Sequence, residues 1–278
     1  MLTPGPHRQR GRPRTARAPE PNAVQALDRA LTILEALAAA DGVPLSDLAQ
    51  RAKLAPSSAY RLLQTLAARG YVEFLERDQL WAIGVEAFRT GMAFQRRYSI
   101  ASVGRGIMHE LVQASGETAN IAILEGGEIV FVAQIESPEP IRAFFRSGER
   151  RAVHASGIGK ALLAEMPRRA VERIIAAKGL TRYTAATLTE PAALFADLAR
   201  VHVRGWALDD EERNVGMRCI AAAIFNEFGD PVAGLSVSGP SARLGDSAVE
   251  RLGPLVAAGA AEITRLVGGV SLPRAGAT

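Results

Sequence analysis

The sequence predicts a mixed α/β protein, with a winged helix-turn-helix at the N-terminal end and a larger α+β domain behind it. Three observations carry this reading. Three helical patterns lie close together between Val24 and Arg69, two short strand-like stretches follow directly, and beyond Gly116 the pattern changes to paired apolar runs with helices after them. At 278 residues the chain is also long for one core, so two domains are the natural division.

Residues 1–22 form an arm that precedes any helical pattern. The arm holds Arg8, Arg10, Arg12, Arg14 and Arg17 against one acid, Glu20; removing these from 33 basic and 29 acidic residues leaves 28 of each. All of the net positive charge therefore lies in the arm. Rich in Pro, Gly and Arg, it cannot bury enough apolar surface to fold alone and is expected to be disordered. Its segment Arg10-Gly11-Arg12-Pro13-Arg14 resembles the core of an AT-hook, in which Arg-Gly-Arg lies in a narrow A·T minor groove. A solvated arm without a partner is the other reading.

The first folded unit is expected over residues 23–84. Val24, Leu27, Ala30, Leu31, Ile33, Leu34 and Leu37 recur at helical spacing until Asp41-Gly42 ends the pattern. A second short helix starts at Ser46, whose hydroxyl is a suitable cap. A third runs from Pro56, favourable in a first turn, to Arg69, with Gly70 at its stop. Along it Ala59, Leu62, Leu63 and Leu66 form the core face. Ser57, Ser58, Tyr60, Arg61 and Gln64 point elsewhere, as hydroxyls and longer donors suited to phosphates and base edges. A plain solvent face would carry Glu and Lys, and this helix has neither. Strands near Val72–Leu75 and Leu80–Ala82, joined through Glu76 to Gln79, complete a wing.

Residues 85–100 are expected to be a helical linker, broken near Tyr98–Ala101, that serves as a spacer or as a pairing surface for a second subunit. The second domain spans 101–270, followed by a flexible tail, 271–278. "TANIAIL" and "EIVFVAQIE" read as strands around Gly126-Gly127, and "IRAFF" as a further strand. Helices run from about Pro167 to Lys178 and Pro191 to Arg204. Strands around Arg218–Asn226 and Pro231–Ser238 and a last helix, Ser247–Val267, close the domain.

Inside this domain "VHASGIGKALL", Val153 to Leu163, looks at first like a phosphate loop. Counted back from Gly159-Lys160, the first glycine is replaced by His154 and the metal-binding hydroxyl by Ala161, so the motif fails twice. A small-residue turn opening a helix remains. Its free N–H groups suit a small carboxylate, or its glycines simply turn the chain.

Other classes of function are excluded by composition. No apolar run approaches the roughly 20 residues of a membrane span, and no signal core is present, so a cytoplasmic protein is expected. One cysteine, Cys219, and four scattered histidines form no metal-ligand spacing; no metal or cofactor is expected.

The segments "VQALDRALTILEAL…LAQRAKLAPSSAYRLLQTLAARGYV", "HASGIGKALLA" and "GWALDDEERNVGMRCIAAAIFNEFGDPVAGLSVSGP" together resemble the IclR family of bacterial transcriptional regulators over about Val24 to Val267. Ala223 departs from the family's frequent "CIAAP". The resemblance implies an effector domain similar to the GAF fold, assembly as a homodimer or homotetramer, and double-stranded operator DNA as partner. It also implies a pocket for glyoxylate or pyruvate. Carried over by position, backbone N–H groups of Ser156, Gly157 and Ile158 hold the acid, and Asp209, Cys219, Ser236 and Ser238 complete the site. Ser236 and Ser238 share one face of their strand. An acid such as Asp209 repels a carboxylate unless it is protonated or accepts a ligand hydroxyl. The run Asp209 to Glu212 also reads as a solvated turn, and Cys219 as a small buried hydrophobe. The alternative function is an enzyme with Cys219 as nucleophile and His154 as base, fused to the DNA-binding unit.

Overall fold

The computed structural model describes residues 24–97 and 100–270. The arm with Arg10 and Arg12, residues 98–99 of the expected linker break, and the tail 271–278 lie outside the described residues. The chain divides into two compact units, one ending at Phe94 and the other starting at Gln95.

In the first unit α1 (Gln25–Ala38), α2 (Leu45–Arg51) and α3 (Pro56–Ala67) precede a hairpin of β1 (Val72–Leu75) and β2 (Leu80–Ile83). Ile33 and Leu37 of α1, Leu48 and Ala49 of α2, and Ala59 and Leu63 of α3 are buried in one core with Trp81 of β2. Helices this short are marginal alone, and the shared apolar face stabilises them. Val43 exchanges two backbone hydrogen bonds of 2.9 Å with Trp81, tying the α1–α2 connection to the hairpin.

Two boundaries differ from expectation. Ser46 does not cap α2, because the Pro44 carbonyl already accepts from the Asp47 and Leu48 N–H groups and starts the helix one residue earlier. The Ser46 hydroxyl donates instead to Asp47 Oδ1 at 3.0 Å. α3 ends at Ala67, two residues before Arg69, and the chain reverses at Gly70, whose φ of +72° favours glycine. α4 (Val85–Arg97) then begins against this turn, with the Glu86 N–H donating to the Gly70 carbonyl at 3.0 Å.

The second unit opens with α5 (Ile100–Val103) and α6 (Arg105–Ser115), followed by β3 (Thr118–Glu125), β4 (Glu128–Ile135) and β5 (Arg150–Ala152). Next come α7 (Gly157–Ala164), α8 (Arg168–Lys178), α9 (Pro191–Arg204), β6 (Ala207–Asp210), β7 (Met217–Phe225), β8 (Pro231–Pro240) and α10 (Asp246–Leu266). The six strands form one antiparallel sheet in the order β5-β4-β3-β8-β7-β6.

Alternation along the strands gives this sheet two faces. Ile121, Ile123, Ile220, Ile224, Leu235 and Val237 pack with Met108 and Leu111 of α6 and Leu252, Val256 and Ile263 of α10. On the other face Ala122, Phe131, Ala221 and Ala223 meet Ile158 and Leu162 of α7 and Leu198 and Val201 of α9. Small residues there let α7 lie close to the sheet: a Cβ placed on Gly234 would come within 2.6 Å of Ile158 Cγ2.

The expected strand Ile141–Phe145 does not form. β5 occupies the edge beside β4, and the backbone of 141–145 bonds to side chains instead. Thr118 Oγ1 donates to the Ala143 carbonyl, the Phe145 N–H donates to Gln134 Oε1, and Arg243 Nη2 donates to the Ile141 carbonyl, each at 2.8 Å.

Candidate nucleic-acid interface and ligand pocket

Ser57, Ser58, Tyr60, Arg61 and Gln64 are all exposed on α3, while Ala59 and Leu63 on its opposite side are buried. Tyr60 and Gln64, one turn apart, are joined by a hydrogen bond from Gln64 Nε2 to the Tyr60 hydroxyl at 2.9 Å. The Tyr60 ring also meets Trp81 of the wing edge-on, with centroids 6.3 Å apart. The helix face and the wing are therefore held in one arrangement. A cavity of about 290 Å³ beside α3 is lined by Arg61, Ser58, Thr65 and, from α1, Arg29. Arg29 was not singled out by sequence reasoning, because on α1 it looks like an ordinary solvent residue.

The glycines of the small-residue turn do not serve to turn the chain. Ser156 caps α7, its Oγ accepting from the Gly159 N–H at 3.3 Å. Neither Gly157 nor Gly159 has a positive φ, so the glycines are not there to turn the chain. They permit close approach: a Cβ on Gly157 would lie 2.9 Å from both Cys219 O and Sγ, and one on Gly159 would overlap the Val153 carbonyl. This packing sets the start of α7 directly onto β7.

Ser156, Ile158, Asp209, Cys219, Ser236 and Ser238 come together around one cavity of about 30 Å³. Gly157 adjoins it through Cys219. Register explains the grouping: Asp209 pairs with Cys219, Cys219 with Ser238, and Ala221 with Ser236, all on the sheet face covered by α7. The hydroxyls of Ser236 and Ser238 are buried without a hydrogen-bond partner among the described residues. Sequence reasoning missed Arg151 and Phe131, which also line the cavity. Phe131 stacks on Phe145 with centroids 4.4 Å apart, and the Arg151 guanidinium lies 4.5 Å from the Phe145 centroid. Phe144, the neighbouring ring in sequence, is exposed.

The acidic run is only half a solvated turn. Asp209 and Glu212 are buried, whereas Asp210 is exposed. Burial pushes Asp209 up to about 6, opposed by the Glu212 N–H, which donates to its Oδ1 at 2.8 Å, and by Lys160. Burial likewise pushes Glu212 up to about 7, against the attraction of Lys160. The lysine that looked like part of a failed phosphate loop is thus a buried cation, donating to Glu212 Oε1 and to Asp197 Oδ2 of α9.

Cys219 and His154 do not make an activated pair. Burial and the nearby Asp209 push the thiol up to about 11, so its reactive thiolate is scarce at neutral pH. His154 lines a different cavity, its Nε2 lies 2.9 Å from the Thr181 carbonyl, and its ring stacks on Tyr183. Among the described residues no group of acids, histidines and cysteine could hold a metal ion, and no helix is long and apolar enough to cross a membrane.

Residues 26–76 match the family model described as IclR helix-turn-helix domain, and residues 92–265 that described as Bacterial transcriptional regulator IclR C-terminal. The chain is 46% identical over 261 residues to the HTH-type transcriptional regulator BhcR of Paracoccus denitrificans, covering 92% of this chain and 94% of the relative. It is 38% identical over 273 residues to the transcriptional repressor IclR of Escherichia coli, covering 97% of this chain and 100% of that protein. A solved IclR homologue of Microbacterium hydrocarbonoxydans, complexed with 4-hydroxybenzoate, superposes with a TM-score of 0.79 at 26% identity, covering 87% of this chain and 98% of the homologue.

Proposed function

The chain belongs to the IclR family of bacterial transcriptional regulators, and we propose that its hold on operator DNA is modulated by a small carboxylate of the glyoxylate or pyruvate class. It is a regulator with a DNA-binding helix-turn-helix and an effector-binding domain, not an enzyme.

The observation that carries the effector reading is the pair of unpartnered hydroxyls, Ser236 and Ser238, on a cavity that starts at the Ser156 turn. Hydroxyl donors and helix-start N–H groups satisfy carboxylate oxygens, and the helix start adds a favourable dipole. Size supports a short acid. The Microbacterium homologue is complexed with an aromatic acid, whereas here the stacked Phe131 and Phe145 leave about 30 Å³, room for about two waters.

In this account α3 lies in the major groove, with Ser57 and Ser58 on phosphates and Tyr60, Arg61 and Gln64 toward base edges. A homodimer or homotetramer presents two such helices to a symmetric site. The effector acts by binding unequally to the DNA-competent and DNA-incompetent arrangements, since a ligand with equal affinity for both shifts nothing. A gel shift on operator DNA with and without glyoxylate or pyruvate tests the proposal. Binding that neither acid alters removes the sensing role.

A further inference from the structure

Asn120 of β3 is fully buried, yet neither its Oδ1 nor its Nδ2 has a hydrogen-bond partner among the described residues. Buried amides in native proteins are almost always paired, and leaving one unmade is costly. Asn120 stands directly across from Ser236 on one side and from Gln134 on the other. Opposed residues on antiparallel strands place their Cβ atoms about 4.5–5.5 Å apart, so Asn120 and Ser236 can reach one small molecule. Gln134 makes no hydrogen bond to the amide; its Oε1 accepts the Phe145 N–H. Three unpartnered polar side chains, Asn120, Ser236 and Ser238, thus share the face that holds the ligand cavity.

A count of donors and acceptors identifies the chemistry that would satisfy them. Ser236, Ser238, the Asn120 NH₂ group and the Arg151 guanidinium supply donors, the two hydroxyls being able to accept as well. Asn120 Oδ1 and the Asp209 carboxylate supply acceptors, but the carboxylate already takes the Glu212 and Arg213 N–H groups, which leaves Asn120 Oδ1 as the acceptor without a partner. Asn120 and Asp209 flank the serine pair, since β3 and β6 lie on opposite sides of β8. A planar 2-oxo acid carries acceptors only. It satisfies the donors and leaves Asn120 Oδ1 unanswered. A hydroxyl-bearing C2 carbon supplies the missing O–H donor to Asn120 Oδ1 while keeping the carboxylate.

We propose that Asn120 is a ligand-contacting residue of this pocket, and that the pocket takes a short acid hydroxylated at C2, either the gem-diol of glyoxylate or a 2-hydroxy acid, in preference to a planar keto acid. This rests on the small-carboxylate reading above and narrows it. The gem-diol needs no catalysis by the protein: water adds across the aldehyde C=O in solution, its oxygen bonding to carbon and a proton passing to the former carbonyl oxygen. Aldehyde acids are largely hydrated in water, whereas pyruvate is mostly the free ketone.

The test is calorimetric titration of the full-length protein with glyoxylate, glycolate, pyruvate and oxalate, together with carbon NMR of bound glyoxylate labelled at its aldehyde carbon. Glyoxylate and glycolate are expected to bind about tenfold more tightly than pyruvate and oxalate. The labelled carbon is expected in the gem-diol region. Asn120→Leu should weaken glyoxylate and glycolate about tenfold more than it weakens pyruvate, which loses only the amide donor, so that the preference for hydroxylated acids disappears. Asn120→Ser, which keeps a donor but shortens the reach, replaces it if the leucine variant does not fold. Equal affinity for pyruvate and glycolate, a bound aldehyde carbon, or an unchanged order of acids in a folded Asn120 variant overturns the proposal. Failure of all four acids to bind wild-type protein overturns the small-carboxylate reading itself, a result distinct from a changed order among acids that bind.

Discussion

Lys160 Nζ lies 2.7 Å from Asp197 Oδ2 with the lysine side chain only 1% exposed, and the same ammonium holds Glu212 Oε1. One buried cation therefore fastens α7, which opens the ligand pocket, to α9 and to the segment that follows Asp209. Removing one partner of a buried pair leaves uncompensated charge, at a cost of roughly 3–5 kcal/mol. Lys160→Met should lose about that much stability in urea unfolding, and a loss below about 1 kcal/mol would show that the pairing is not a structural fastener.

Asp209 at about 6 and Glu212 at about 7 are both raised above the ordinary range, by burial. A carboxyl raised on folding holds its proton more tightly in the folded state. Its contribution is present below the unfolded pKa and is lost as pH rises through the folded one. Asp197 is desolvated too, but Lys160 and Arg200 hold it low, so its contribution is lost only at more acid pH. The urea midpoint should fall between about pH 5 and 8, by on the order of 2 kcal/mol in stability, and Asp209→Asn should flatten that slope. A wild-type midpoint that rises over this window contradicts the assignment.

Gly159→Ala should destabilise the second unit by about 1–3 kcal/mol, as overpacking does, because the added methyl meets the Val153 carbonyl. A helix-propensity gain would act in the opposite direction. Thermal melting of the variant decides the sign.

Ser236→Ala should leave stability within about 0.5 kcal/mol, since the hydroxyl it removes has no partner. Glyoxylate affinity should drop about tenfold in the same variant. Loss of stability with unchanged affinity in titration calorimetry would assign the hydroxyl to the fold instead.

Much of this was legible from the residues. The two faces of α3 follow from the 3.6 period and from the lack of acid and lysine on it, and Ser236 and Ser238 share a face because strand side chains alternate. What was not legible depended on distant partners. Asn120 gains its meaning from Ser236, which the sheet brings across from it, and an isolated asparagine in an apolar run carries no such signal. Lys160 looked like a remnant of a phosphate loop because Asp197 and Glu212 are 37 and 52 residues away. Ile141–Phe145 had strand composition, but an edge can be filled once, and β5 fills it.

We propose that occupancy of the serine-lined pocket governs the grip of α3 on DNA. Fluorescence anisotropy of a duplex selected by the full-length protein, titrated with glyoxylate, tests it most directly when wild type is compared with the Ser236→Ala/Ser238→Ala double variant. A glyoxylate-dependent change in DNA affinity is expected for wild type, and none at the same concentrations for a double variant that still binds the duplex. An identical glyoxylate response in both proteins would contradict it.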